Sequence, residues 1–246
     1  MIDFVLLATQ RTGSYMLVSA LDNHPRVCCH GELFRKKNLH LATDLSFLDQ
    51  IDPAYKDYEF RRDNFQEYLQ LVKKVDGSKD LFGFKLMLGQ AKRVRETLIQ
   101  DVRIKKILLY RDNLLAVYAS NRIAKATGQG IVHVGDELKQ AKVDFDPKQF
   151  ERFRERIDLL YKQVREQLKV RPRNEWMETQ YPDICRDEEI ARVMRFIGAE
   201  PGEAPISVRT VKRNTGNILD RFTNPKDVLT HLEKVKRMDW VRESQV

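Results

Sequence analysis

The order of apolar and polar positions divides the chain into alternating strand and helix signals. Residues 2–8 form an apolar run rich in β-formers, short enough for one buried strand. The polar stretch Thr9-Gln10-Arg11-Thr12-Gly13-Ser14 interrupts it, after which Met16, Leu17, Ala20 and Leu21 recur at helical spacing until His24-Pro25 ends the pattern. The same succession returns further on. Residues 104–110 read as a strongly apolar strand ending in Arg111-Asp112-Asn113, and Leu114, Leu115, Val117, Tyr118 and Ala119 open a helix. Between these units, residues 26–30 predict a short strand that delivers Gly31-Glu32-Leu33-Phe34 toward the first polar turn. Residues 35–80 are mixed, with Leu45, Phe47, Leu48 and Ile51 followed by Phe65, Leu69 and Val72 at helical spacing, and read as an irregular insertion and a helix. Residues 81–87 read as a strand whose apolar character Lys85 breaks, and 90–100 as a basic helix. Residues 128–143 have no clear period, and Asp146-Pro147-Lys148-Gln149 then combines a cap, a proline at the first position and a closing Gln for a helix to about residue 168. A strand at 176–180 follows, then a helix capped by Asp187 that ends at Ile197-Gly198, and a terminal helix beginning at Asn224-Pro225 with Val228, Leu232 and Val235 turned inward. Strands alternating with helices predict an α/β fold of three layers, a central, mostly parallel sheet flanked by helices.

The first polar turn carries the most chemistry. A strand, a tight loop and a helix are where such a sheet places an anion-binding turn: Gly13 lets the backbone approach closely, and the first N–H groups of the helix point at the anion. Arg11 adds a fork of donors, and Thr12 and Ser14 add hydroxyls. A Walker A loop is excluded, because Ala8 replaces its first glycine and Ser14 follows Gly13 with no lysine between. That lysine and the hydroxyl after it serve a magnesium-bound triphosphate, so their absence argues against an ATPase, a GTPase or a kinase-like phosphotransferase. The plainer alternative is a helix-capping turn. Carboxyl ends of strands line the ligand crevice of open parallel sheets, so Arg111 is expected to face the same site as Arg11.

The 246 residues suffice for one sizeable core, and no repeat or low-complexity segment divides them, which predicts a single domain over 1–246. A net charge of +8 suits anionic ligands without choosing among nucleotide, nucleic acid and acidic glycan. A basic nucleic-acid-binding module is an alternative from another class, but the positive residues are dispersed rather than gathered in an aromatic-interleaved stripe. No apolar run approaches the ~20 residues of a membrane span. The amino end, with Asp3 inside its apolar run, is unlike a signal peptide. Cys28, Cys29 and Cys185 give no disulfide framework, and Cys28 and Cys29 read as small buried strand residues. A cytoplasmic location is the expectation. No H-E-x-x-H, paired Cys-x-x-Cys or clustered acidic loop offers a metal site.

Four blocks resemble the sulfotransferases that use 3′-phosphoadenosine 5′-phosphosulfate (PAPS), particularly carbohydrate-directed and bacterial members. Arg11-Thr12-Gly13-Ser14, followed by Asn23-His24-Pro25, Val27 and Glu32, resembles the family's 5′-phosphosulfate loop, its helix stop and the acidic residue beyond. Tyr110-Arg111-Asp112 with Ser120 resembles the 3′-phosphate signature. Thr179-Gln180-Tyr181-Pro182-Asp183 with Arg195-Phe196-Ile197-Gly198 is similar to the Y-E-D-L and R-F-L-G segment, with Pro182 where Glu is usual. Lys212-Arg213-Asn214-Thr215-Gly216 echoes the late basic loop over the nucleotide.

The resemblance implies a single sulfotransferase domain of P-loop-like fold that transfers a sulfuryl group from PAPS, leaving 3′-phosphoadenosine 5′-phosphate (PAP), with no metal. Arg11, Thr12, Gly13, Ser14 and Tyr15 would hold the 5′-phosphosulfate, Tyr15 standing where the family has Thr or Ser. Arg111 and Ser120 would grip the 3′-phosphate, and Arg213 would touch the nucleotide. The plain alternatives are a surface ion pair for Arg111-Asp112, a backbone-bonded helix serine for Ser120 and a solvated loop for Arg213. Glu32 is the candidate general base. His30 is its rival, placed by strand alternation on the same face. Lys85 would stabilise the leaving oxygen or orient the acceptor, the alternative being an ordinary edge-strand lysine. The acceptor would be a hydroxyl or amine of a carbohydrate, glycolipid or small molecule, met by residues 35–80 and 128–146; nucleic acid is not an expected partner, and the oligomeric state is not legible.

Overall fold

The computed structural model describes residues 2–36, 52–75, 79–130, 135, 137–202 and 216–243. The candidate Arg213 and the apolar positions Leu45, Phe47, Leu48 and Ile51 lie outside the described residues. Strands β1 (Phe4–Ala8), β2 (Val27–Glu32), β3 (Leu81–Met87), β4 (Lys105–Tyr110) and β5 (Trp176–Gln180) form a parallel sheet in the order β2-β3-β1-β4-β5. The helices are α1 (Ser14–Asp22), α2 (Tyr58–Asp63), α3 (Phe65–Val75), α4 (Lys92–Gln100), α5 (Leu114–Thr127), α6 (Pro147–Lys169), α7 (Tyr181–Ile184), α8 (Asp187–Ile197) and α9 (Pro225–Lys234). No helix among the described residues is long and apolar enough to cross a membrane.

Every residue of β1 is fully buried, which is why its sequence is a continuous apolar run rather than an alternation. Val5 and Leu7 pack on the face covered by α3, α4, α5 and α6, whereas Phe4, Leu6 and Ala8 pack on the face covered by α1 and α8. The connection running from β1 outward to β2 uses α1 on one face, and those running the other way use α3, α4, α5 and α6 on the opposite face. Direction and face thus change together, keeping a single hand of crossover, as parallel sheets require. The chain leaves β1 toward β2 but leaves β4 toward β5, so the loops after these neighbouring strands diverge and open a crevice at their carboxyl ends.

Local signals account for most boundaries. Asp146 accepts from the N–H groups of Lys148 and Gln149 at 2.8 and 3.0 Å, starting α6 with Pro147 at its first turn. Gly198 ends α8 at φ 92°. Asp187 is the first residue of α8 rather than its cap: Arg186 holds the N-cap place, and Asp187, Glu188 and Glu189 put three carboxylates against the positive end of the helix dipole. Strand β2 runs two residues beyond its expected end, to Glu32, with a register shift between His30 and Glu32.

Candidate active site

The turn after β1 is built on two left-handed residues, Arg11 at φ 65° and Gly13 at φ 77°. An arginine in that region costs on the order of 1 kcal/mol, a strain that surrounding bonds must hold. One such bond is on its own carbonyl, which accepts from Arg111 Nη1 at 2.8 Å. Gly13 has a steric reason as well: a Cβ there would lie 2.5 Å from Cδ2 of Tyr181. Thr12 is buried and its hydroxyl donates to the Thr9 carbonyl at 2.9 Å, so it braces the turn from within. Gly13 is the N-cap of α1 and brings no capping side chain, and Ser14 and Tyr15 open the helix whose amino end faces the crevice.

The end of β4 meets this turn. Ala8 is in register with Leu109, so Arg11 and Arg111 leave adjacent strands at one level. Arg11 Nε donates to Ser120 Oγ at 2.9 Å, and Arg11 Nη1 donates to the Gly130 carbonyl. Ser120 on α5 therefore serves the arginine of the first turn, not a backbone bond of its own helix. The Arg111 guanidinium stacks 4.1 Å above the Tyr181 ring and donates from Nε to Glu243 Oε1 at 2.6 Å and from Nη2 to Glu243 Oε2. Asp112 pairs instead with Arg237. Arg221 is buried near this pair, and its pKa is pushed down to about 10 by burial and by the Arg111 charge, against the pull of Glu243. A cavity of about 440 Å³ adjoins Arg111, between Tyr110, Tyr161, Arg165 and Trp240.

Glu32 and Lys85 form a second centre. Lys85 lies on β3, an interior strand flanked by β2 and β1, so the edge-strand reading of this lysine fails. Its ammonium is 4% exposed, 3.2 Å from Glu32 Oε1 and 5.3 Å above the centre of the Tyr15 ring. Burial lowers its pKa, and the Glu32 carboxylate works against that shift. Glu32 Oε2 accepts from Gln90 Nε2 at 2.8 Å. Tyr15 joins this centre to the first turn, since it is the second residue of α1.

The expectation that His30 shares a face with Glu32 is wrong. The bulge at Gly31 pairs His30 with Phe84 and Glu32 with Lys85, consecutive residues that point to opposite faces of the sheet. His30 is fully buried, with its ring 5.4 Å from that of Phe82 and its Nε2 3.4 Å from Cys28 Sγ. His30 thus points to the face of the sheet opposite the one that Glu32 and Lys85 share. Cys28 and Cys29 are both buried, as expected of strand residues.

The structure thus brings Arg11, Arg111 and Ser120 into direct contact, sets Thr12, Gly13, Ser14 and Tyr15 beside them, and joins Glu32 to Lys85. Three participants carried no readable signal: Gln90 ahead of α4, Arg221, and Glu243 in the polar carboxyl-terminal stretch. Among the described residues no cluster of three or more His, Cys, Asp or Glu is placed to hold a metal ion.

No family model matches the sequence, and no curated protein matches it. Solved structures do. A sulfotransferase from Alicyclobacillus acidocaldarius is similar over 99% of this chain and 97% of its own, at 14% identity and a TM-score of 0.51. The sulfotransferase domain from the curacin biosynthetic pathway is similar over 82% of this chain and 76% of its own, at 11% identity and a TM-score of 0.53. With its five-stranded parallel sheet and helices on both faces, the chain has the fold of these sulfotransferases.

Proposed function

We propose that this protein is a sulfotransferase that moves the sulfuryl group of PAPS to a hydroxyl or amine of a carbohydrate-like, glycolipid or small-molecule acceptor. The observation that carries the reading is the convergence of Arg11 and Arg111, joined at 2.8 Å, on the crevice that Tyr15 links to Glu32 and Lys85. The donor set fits a polyanion: the guanidinium groups of Arg11, Arg111 and Arg221 gather at this pole, and Arg154, Arg165 and Arg237 line the adjoining cavity with Asp112 and Asp158. The adjoining cavity has the size of an organic ligand's site, which favours a nucleotide over a free anion.

PAPS supplies an activated sulfuryl group whose bond to the 5′-phosphate breaks as the acceptor oxygen bonds to sulfur in line. The chain's residues do the rest. The amino end of α1 and the Arg11 side chain hold charge at the 5′ end, and Arg111 with Ser120 holds the 3′-phosphate. Glu32 takes the acceptor's proton. Lys85 and Gln90 keep this carboxylate oriented. Lys85, a buried cation beside the reacting centre, steadies charge developing on the oxygens around sulfur. Fixed positive potential and positioning supply most of the acceleration in such a site. A cytoplasmic, metal-free enzyme of one domain completes the proposal.

A thermal-shift comparison tests it with three ligands: PAP, ATP with magnesium, and an oligonucleotide. Selective stabilisation by PAP is the expected result; equal shifts, or none, overturn the reading. Sulfur-labelled PAPS with a panel of sugar, glycolipid and small hydroxyl acceptors then identifies the acceptor.

A further inference from the structure

The pairing of Arg111 with Glu243 is out of place in an anion-binding crevice. Arg111 turns Nε and Nη2, the edge that would clasp an oxyanion, onto the Glu243 carboxylate, and Nη1 onto the Arg11 carbonyl. The guanidinium is 8% exposed and the glutamate 7%, both out of water. Arg221 is buried within reach of both charges, close in sequence to the stretch that is bonded to the Glu243 segment. The Glu243 N–H donates to the Gly216 carbonyl and the Ile218 N–H to the Val241 carbonyl, each at 2.9 Å, and Asn217 bridges to Arg242.

We propose that Arg111 and Arg221 form a seat for a phosphate dianion, that the Glu243 carboxylate occupies this seat in the structure, and that the 3′-phosphate of the nucleotide takes it by displacing Glu243. This rests on the PAPS reading of the site. Charge and shape favour an exchange. A carboxylate presents two oxygens to a guanidinium fork as a phosphate does, but it brings one negative charge where a phosphate monoester brings close to two. Burial lowers the Arg221 pKa first and the neighbouring Arg111 charge lowers it further, so a second anionic charge there would be favourable to both cations. The movement required is short. Trp240 is 3% exposed, and its carbonyl accepts from Asn113 Nδ2 at 3.0 Å, so the chain stays pinned three residues before Glu243. The exchange then asks movement only of the Glu243 side chain and of the backbone after Trp240, whose hold includes the Glu243 N–H bond to Gly216. Glu243 then acts as an internal competitor that sets donor affinity, and ligands without a 3′-phosphate do not displace it.

Calorimetric titration of the full chain and of Glu243→Gln with PAP and with adenosine 5′-phosphosulfate, which lacks the 3′-phosphate, decides the matter. Glu243→Gln is expected to bind PAP about tenfold more tightly or better, with adenosine 5′-phosphosulfate unchanged. Adding Arg221→Gln to that variant should then cost about tenfold in PAP affinity alone. A folded Glu243→Gln that binds PAP no more tightly overturns the proposal and makes Glu243 a structural clamp. Hydrogen exchange of the unaltered protein gives an answer even where the variant does not fold. PAP should speed exchange of the Glu243 amide, and slower exchange overturns the exchange of carboxylate for phosphate. If neither protein binds PAP but Glu243→Gln alone binds inorganic phosphate, the seat stands and the nucleotide reading falls.

Discussion

Replacing Glu32 by Gln tests the buried pair with Lys85 without needing an acceptor. Two unit charges 3.2 Å apart attract by ~5 kcal/mol at an effective dielectric of 20, and burial of each ion offsets much of that. The net worth of the pair is therefore small, but the cost of breaking it is not. Glu32→Gln leaves the Lys85 ammonium 4% exposed with no carboxylate beside it, a change that typically costs about 3–5 kcal/mol. The retained amide can still accept from the ammonium, so a loss of about 3 kcal/mol is expected at pH 7. The loss should depend on pH in one direction. Burial already lowers the Lys85 pKa below 10.5, and removing the carboxylate that opposes the shift lowers it further. Between that lowered value and 10.5 the unfolded chain binds more protons than the folded one, so the variant gains stability as pH rises through the window. Urea denaturation at pH 7 and pH 9.5 measures both effects. Glu32→Gln combined with Lys85→Met removes both charges and should return to within about 1 kcal/mol of the parent. A single variant within 0.5 kcal/mol of the parent at pH 7, or strictly additive substitutions in the double-mutant cycle, would refute the coupling.

In catalysis the same Glu32→Gln change should spare PAP affinity and depress turnover by about 10²–10⁴-fold, measured with sulfur-labelled donor; full turnover removes the base from this position. Arg11→Ala should weaken PAP binding by ~1.5–3 kcal/mol in a calorimetric titration, and unchanged affinity takes Arg11 out of the site. Arg111→Ala should lose donor affinity and also cost about 3–5 kcal/mol of stability, because Glu243 is left buried without its partner. Adding Glu243→Gln should restore that stability in urea but not the affinity, and restoration of both contradicts the role of Arg111. Gly13→Ala places a methyl 2.5 Å from the Tyr181 ring at φ 77°, and should cost about 2–3 kcal/mol in a denaturation curve. An unaltered midpoint would mean that the turn is not the close-packed one described.

Much of this architecture is legible in the chain because its strongest signals are local. The apolar runs at 4–8 and 107–109 are continuous because both strands are buried on two faces, and the polar turn after each strand marks a carboxyl end. Once the strands are parallel and adjacent, Arg11 and Arg111 must converge, and they do. The misses are of a different kind. Alternation placed His30 beside Glu32, but a bulge at Gly31 inserts one residue and turns Glu32 onto the Lys85 face; the glycine was the only trace of it. Strand order decides whether Lys85 is on an edge, and no local pattern encodes that order. Glu243 lies 132 residues from Arg111 in sequence, within a polar stretch that has no periodicity. Gln90 looked like the start of a helix, yet α4 begins at Lys92 and leaves its side chain to Glu32.

The two poles of the crevice hold their carboxylates in opposite ways, and the difference bears on how substrates enter. At the β2–β3 pole, Glu32 gives one oxygen to Lys85 and the other to Gln90. On the proposed reading, the acceptor would meet a carboxylate that these two contacts already orient. At the β1–β4 pole the cation is the group that must be reached, and Glu243 already holds the bidentate Nε–Nη2 edge of Arg111 while Nη1 serves the Arg11 carbonyl. On the proposed reading, a phosphate takes that edge only by exchange. Donor affinity therefore depends on how firmly Glu243 is seated, whereas acceptor affinity depends on shape around a fixed base, and substitutions at residue 243 should move PAP binding without touching the acceptor pole.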